Sequence, residues 1–389
     1  MSAAKKRPSP KASPAPTAHA AGAARSPASG ERQLLNLADY EALARERMAP
    51  ASWEYVSGAA ADEITLRWNR EAFDRTALAT RVLTDVSKLD TRLTLLHHEL
   101  PFPILLAPTG FQRMVHPGGE VAVARGAGAA GALLVMSSAA TTAVEDIGKA
   151  ATGPLWFQLY VQRDRGFTRE LVARAEQAGA QALVLTVDTP VIGARNREAR
   201  SGFSLPPGME LPNLKGAVSK QNATPHRSLG DGIYSEALDP TLTWKELDWL
   251  LGVAKKPVLV KGILSPGDAE RAAGAGVAGI IVSNHGGRNL DTTPASLDAL
   301  PRVVERAGDE MAVLMDGGIR RGTDVLKALA LGARAVLIGR PYLYGLGVAG
   351  AEGVTRVVNL LRQEFEMAMA LTGRTRLKDI NRSVLWKAP

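Results

Sequence analysis

The chain of 389 residues contains no cysteine. That absence removes disulfides, thiolate zinc sites, iron–sulfur clusters and any cysteine nucleophile, and it leaves the redox compartment open. Aromatic residues are scarce at 5%, beside 46% hydrophobic and 22% charged residues. This balance excludes collagen-like, coiled-coil and wholly disordered chains and suits one large domain or two modest ones. Acidic residues are missing from the first 30 positions, which carry Lys5, Lys6, Arg7, Lys11 and Arg25. Five of the eight surplus positive charges therefore sit in a tail. What remains is too thin for the basic footprint of a nucleic-acid binder, so no nucleic-acid partner is expected.

The tail is otherwise Ala, Ser and Pro, and Pro8, Pro10, Pro14, Pro16 and Pro27 keep it from forming a helix. Residues 1–32 read as a disordered, solubilising extension. A basic, acid-free, Ser-containing tail also has the composition of a targeting peptide, but its prolines spoil the amphipathic helix such a peptide needs. No apolar core of a secretory signal is present. Arg125 to Glu145 is free of charge between its ends, yet Ser137, Ser138, Thr141, Thr142 and many Gly and Ala make it too polar to span a bilayer. The expectation is a soluble, cytoplasmic protein without a membrane partner, with organelle targeting by the tail left open.

From about residue 100 one unit repeats: a short apolar run, a polar or Gly-rich loop, then an amphipathic helix. The runs are Phe102–Ala107, Ala132–Met136, Leu155–Gln158, Ala182–Val187, Pro257–Val260, Gly279–Val282, Ala312–Met315 and Ala335–Ile338. Each is apolar throughout instead of alternating, as expected of strands buried on both faces of a parallel sheet. Helical patterns fill Gly119–Gly128, Thr168–Gln177, Pro266–Ala275, Thr323–Leu331 and Glu352–Leu371. The reading is an α/β chain forming a closed (β/α)8 TIM barrel. An open doubly wound sheet would more often show a GxGxxG turn, which is missing. Ahead of the barrel, residues 36–80 form a helical preface (Leu37–Arg47, Pro50–Tyr55, Asp62–Phe73), too short for its own core. Residues 33–389 thus make one domain with an N-terminal helical extension. Its long connection, 201–242, has the length of a lid or active-site wall.

Active sites of such barrels lie at the C-terminal ends of the strands. The residues just past the runs are Ala107-Pro108-Thr109-Gly110, Ser137-Ser138, Gln158 with Tyr160, Thr186 with Asp188, Lys261, Ser283 to Arg288, Asp316-Gly317-Gly318 and Gly339-Arg340. Desolvating so many charges at one mouth has a cost that a purely structural protein has no reason to bear. Asp316 to Arg320 and Gly339-Arg340 follow the last two runs, where such barrels often bind a phosphate. The bland alternative is a pair of surface turns with solvated arginines. His285 and Arg288 suit deprotonation of a hydroxy acid, imidazole as base and guanidinium on a carboxylate. The remaining histidines (His19, His97, His98, His116, His226) lack an acid partner or a place at the mouth and read as structural. No metal site is expected.

The motif Ser283-Asn-His-Gly-Gly-Arg288-Asn-Leu-Asp291, with Ala107-Pro-Thr-Gly110, Gln158-Leu-Tyr160, Leu185-Thr-Val-Asp188-Thr-Pro, Val260-Lys261-Gly, Asp316-Gly-Gly-Ile-Arg320 and Gly339-Arg340-Pro, resembles the FMN-dependent L-2-hydroxy acid oxidases and dehydrogenases. Glycolate oxidase, lactate oxidase and mandelate dehydrogenase are members, and the resemblance covers about residues 35–382. It implies FMN as cofactor, an L-2-hydroxy acid and O2 as small-molecule partners, and a homotetramer. His285 would be the active-site base and Asp188 would stabilise its imidazolium. Arg195 and Arg288 would clamp the substrate carboxylate, and Tyr55 and Tyr160 would hydrogen-bond the substrate. Lys261 would favour the anionic reduced ring. Pro108, Thr109, Gly110, Ser137, Gln158, Thr186 and Ser283 would hold the isoalloxazine. Asp316, Gly318, Arg320, Gly339 and Arg340 would hold the ribityl chain and phosphate.

The resemblance implies oxidation to the 2-keto acid, with the reduced flavin reoxidised by O2 to give H2O2. Two positions depart from glycolate oxidase. Gly110 replaces an Ala and is shared with lactate monooxygenases and mandelate dehydrogenases of the family, which keeps monooxygenase-like and dehydrogenase chemistry open. Ala139 replaces a Trp that lines the pocket, which favours a longer or aromatic side chain over glycolate. A different FMN barrel such as an isoprenoid diphosphate isomerase shares the phosphate site but not the tyrosines and the His285/Arg288 pair. An inosinate-dehydrogenase-like barrel would need a cysteine. A non-catalytic phospholigand-binding barrel stays as the alternative outside enzymology.

Overall fold

A computed structural model describes residues 33–217, 233–235, 238–308 and 310–386. The expected disordered tail, His226 and the centre of the 201–242 connection lie outside the described residues. Leu35–Pro389 forms one compact unit. All eight apolar runs are strands: β3 (Ile104–Leu106), β4 (Leu134–Ser137), β5 (Leu155–Leu159), β6 (Ala180–Thr186), β7 (Val258–Ile263), β8 (Gly279–Val282), β9 (Ala312–Asp316) and β10 (Ala335–Ile338). They pair in chain order, and β10 closes parallel onto β3 with Val336 opposite Ile104. The result is the closed (β/α)8 barrel that the apolar rhythm requires.

Two features are additions to that rhythm. β1 (Leu93–Leu95) and β2 (His98–Leu100) form an antiparallel hairpin. Its Leu93, Leu95 and Leu100 join the barrel-interior cluster of Leu105, Val135, Trp156, Val184, Leu259, Ile281, Leu314 and Leu337. The last helix starts at Arg340, not Glu352, and runs to Leu371 through a break at Ala349 and Gly350 (φ 57°). Helices Val144–Ala150, Trp244–Val253 and Ser296–Ala307 complete the outer ring.

Parity then dictates the site. Side chains of a strand alternate faces, so a residue two places beyond an inward one also points inward. Two places beyond the interior residues just named stand Ala107, Ser137, Gln158, Thr186, Lys261, Ser283, Asp316 and Gly339. The polar positions are therefore the upper layer of the same barrel interior, and the hairpin closes the opposite end.

The helical preface is seated on that upper rim. Helix Pro50–Ser57 ends with its carbonyls toward two arginines. Arg288 Nη1 donates to Tyr55 O (2.6 Å) and Gly58 O (3.1 Å), and Arg340 donates to Val56 O (2.9 Å) and Gly58 O (2.7 Å). Cations at the negative end of a helix are favourable. Helix Ile64–Asp74 is held by Asp291, whose carboxylate accepts from the N–H groups of Asp62, Ile64 and Thr65.

Candidate active site

One cavity opens at the C-terminal end of the barrel. Every residue singled out from the sequence lines it except Asp188 and Ser283, which stand directly behind it. Asp188 Oδ1 meets His285 Nδ1 at 2.9 Å, and Ser283 Oγ accepts from Lys261 Nζ (2.9 Å) and from the His285 backbone N–H (3.0 Å). These two support the lining groups.

His285 stands in the left-handed region (φ 57°), a costly backbone for a residue with a Cβ and one that recurs at functional sites. With Nδ1 occupied by Asp188, Nε2 is the ring nitrogen left for the cavity. Burial lowers the affinity of the imidazole for a proton; Asp188 opposes this and Lys261 and Arg195 reinforce it, so the ring is the neutral, basic form at neutral pH. Burial pushes the Asp188 carboxyl up, but His285, Lys261 and the Thr189 hydroxyl outweigh it and bring it to about 2. Thr189 Oγ1 donates to Asp188 Oδ1 at 2.9 Å, and Asn289 Nδ2 donates to Thr189 Oγ1 (2.8 Å) and the Asp188 carbonyl (2.9 Å).

Gly262 permits this arrangement. At φ 111° it forms the irregularity between β7 and β8, and a Cβ there would lie 2.6 Å from Asp188 Cβ. Gly193 does the same for the next loop, since a Cβ would lie 2.2 Å from Asn289 O. The chain from Asp188 to Arg195 thus lies flat on the His285 loop.

At the other side of the cavity are the cations. Burial lowers the Lys261 ammonium, but Asp316 (3.4 Å) and Asp188 hold it charged with a net upward shift. Arg195 Nε donates to Arg288 O, and Arg288 Nη2 donates to Glu198 Oε1 at 2.7 Å. Tyr55 stacks on Phe203 (4.6 Å between centroids), meets Phe111 edge-on and lies 4.8 Å beneath the Arg288 guanidinium. Burial pushes its hydroxyl up to about 12, so it stays a donor. Ser137, Gln158 and Thr186 form a chain across β4, β5 and β6, with Gln158 Nε2 donating to Thr186 Oγ1 at 3.0 Å. The described flanks of the long connection contribute Leu211, Leu214, Ser235 and Leu238 to the wall.

The sequence reading missed Glu198, Thr189, Asn289, Phe203 and Gly262. Glu198 has no local signal, because its partners are 90 residues away in sequence or on a loop. Two expected roles take a different form here. The Arg288 fork is committed to Glu198 and to helix carbonyls, and Arg340 donates only to carbonyls (Val56, Gly58 and Gly286).

The comparisons with known proteins agree with this geometry. The family model described as FMN-dependent dehydrogenase matches residues 44–387. This chain belongs to the FMN-dependent dehydrogenase family. Glycolate oxidase 1 of Zea mays is 45% identical over 351 residues, covering 90% of this chain and 95% of the relative. An L-lactate oxidase of Nostoc sp. is 46% identical over 358 residues, covering 90% and 98%. A crystal structure of mandelate oxidase superposes with a TM-score of 0.82 at 36% identity, covering 91% of this chain and 98% of the other. An active chimera of (S)-mandelate dehydrogenase gives 0.84 at 34% identity, covering 92% and 100%.

The cavity fits the FMN on which this family depends. Asp316 Oδ1 is buried there without a hydrogen-bond partner and can accept from a ribityl hydroxyl. Arg340 is a buried guanidinium that no carboxylate pairs with among the described residues, and burial with Arg288 nearby lowers it to about 10. Beside it begins the helix Arg340–Leu371, whose positive end suits a phosphate. Among the described residues no helix is long and apolar enough to cross a membrane.

Proposed function

We propose that this member of the family oxidises an L-2-hydroxy acid with an apolar side chain to the 2-keto acid, O2 reoxidising the flavin to give H2O2. The observation that carries the reading is the neutral His285, backed by an ionised Asp188 and facing the same cavity as Arg195. Asp316, Arg320, Gly339 and Arg340 would hold the ribityl phosphate, with Thr109, Gly110, Ser137, Gln158, Thr186 and Lys261 around the ring. Bound FMN supplies a two-electron acceptor. Arg195, with Tyr55 and Tyr160, binds and orients the substrate carboxylate and hydroxyl. His285 Nε2 takes the proton that leaves the substrate, and Asp188 stabilises the imidazolium. Lys261 sets positive charge where negative charge develops. Phe111, Ala139, Ile192, Leu211, Leu214 and Leu238 offer the side chain an apolar wall, which supports mandelate-like or medium-chain acids over glycolate.

Gly110 supports a second reading, in which the reduced enzyme acts as a monooxygenase or passes electrons to another acceptor. A Cβ there would lie 3.0 Å from Ala139 O, so its absence leaves room beside the ring site. The test starts with the visible spectrum of the purified protein, followed by anaerobic bleaching with a panel of L-2-hydroxy acids. Admitting air and measuring peroxide separates the two readings. A colourless protein that no hydroxy acid affects would sink both and leave a phospholigand-binding barrel. The same proposal takes the enzyme as a homotetramer, which light scattering on a sizing column tests.

A further inference from the structure

Glu198 is 1% exposed, on the short helix Asn196–Arg200. Its carboxylate pairs with Arg288 (2.7 Å) and approaches Arg195 (3.8 Å). The helix is fixed from its other side, since Arg197 binds Glu54 (2.5 Å), Glu63 (3.2 Å) and Ser57 Oγ (3.0 Å). The acid is therefore held in place beside two arginines that also line the cavity. Two guanidiniums and one carboxylate leave a single positive charge at the substrate end. The wall beyond it, from Ala139 through Leu211, Leu214 and Leu238, presents apolar side chains only.

We infer that Glu198 is a specificity-determining residue that trims the paired arginines to one unit of charge, so that the site accepts monocarboxylates and rejects a second carboxylate. This deepens the reading of the site as one for 2-hydroxy acids and rests on it. A monoanion satisfies the leftover charge. A dianion brings a second charge that must be desolvated against an apolar wall with no cation to receive it. Without Glu198 the freed Arg288 Nη2 would supply that cation.

The experiment measures affinity by calorimetry on the flavin-loaded protein, using propionate and malonate as probes of equal carbon count. In the wild type malonate should bind no more tightly than propionate. In Glu198→Gln, close in shape but without the charge, the malonate-to-propionate affinity ratio should rise at least about tenfold, the scale of one added unit charge at close range. Glu198→Asp, which keeps the charge, should leave the ratio near wild type even where both affinities fall. An unchanged ratio in Glu198→Gln overturns the inference. So does a wild type that prefers malonate tenfold, a result that remains decisive where Glu198→Gln does not fold. Failure of the parent reading looks different: no hydroxy acid bleaches the flavin, while the two anion affinities remain measurable.

Discussion

The contact between Gly262 and Asp188 allows a substitution outside the site to be judged in advance. In Gly262→Ala the new Cβ would stand 2.6 and 2.7 Å from Asp188 Cβ and Cγ and 2.9 Å from its backbone nitrogen. Backbone is involved on both sides, so no flexible side chain can swing away. At φ 111° an L-residue is also strained, by about 1–3 kcal/mol. Relief requires Asp188 to move by roughly the overlap, on the order of 1 Å, which breaks its 2.9 Å bond to His285. A hydrogen bond to a charged group contributes about 1.5–3 kcal/mol, and each 1.4 kcal/mol is tenfold in rate, so flavin reduction should slow about 10- to 100-fold. Stopped-flow bleaching of the flavin under nitrogen measures it. Gly276→Ala is the control: its φ is 80°, but nothing lies within 4 Å of the new Cβ. It should lower the melting temperature and leave the reduction rate alone. If Gly262→Ala, fully loaded with flavin, reduces it at the wild-type rate, the linkage of backbone to base is wrong.

Removing the base itself, His285→Ala, should cost several orders of magnitude in the same bleaching assay with flavin content preserved. The pH profile carries a sign. Because burial depresses His285, kcat/KM should stay level through neutrality and fall only as pH drops through that lowered value. Lys261→Met removes a charge that opposes protonation and should move this acid limb to higher pH, whereas Asp188→Asn should move it lower. Arg340→Met should weaken FMN retention at least about tenfold, read by flavin fluorescence after dilution, because a buried charge-assisted partner of a phosphate is lost. Ala139→Trp should close the apolar wall and bring glycolate above mandelate in a substrate profile.

The barrel was legible because its strands are covered on both faces and leave uninterrupted apolar runs. The site was legible for the same reason: period-two alternation carries each inward apolar residue to an inward polar one, as from Leu259 to Lys261 or Leu314 to Asp316. The hairpin was not. Its turn uses Leu96 (φ 46°) and His97 (φ 70°) in the left-handed region, where glycine or asparagine is the usual marker. The helix Ser296–Ala307 carries Pro301 in its interior, which hides it from any reading that treats proline as a breaker. The early start of the last helix was hidden by function, because Gly339-Arg340 reads as a loop when only its polar character is weighed. Glu198 and Asn289 act through partners brought near by folding, and no spacing rule reaches them.

Arg288 and Arg340, seated on the carbonyls of Tyr55, Val56 and Gly58, make the opening helices inseparable from the barrel they precede. A shortened gene starting near residue 60 would still encode all eight strands, yet both guanidinium groups would lose their acceptors and the cup its aromatic floor. Anyone trimming this scaffold, or transplanting its rim onto another barrel, has to carry that short stretch of chain along as part of the catalytic unit.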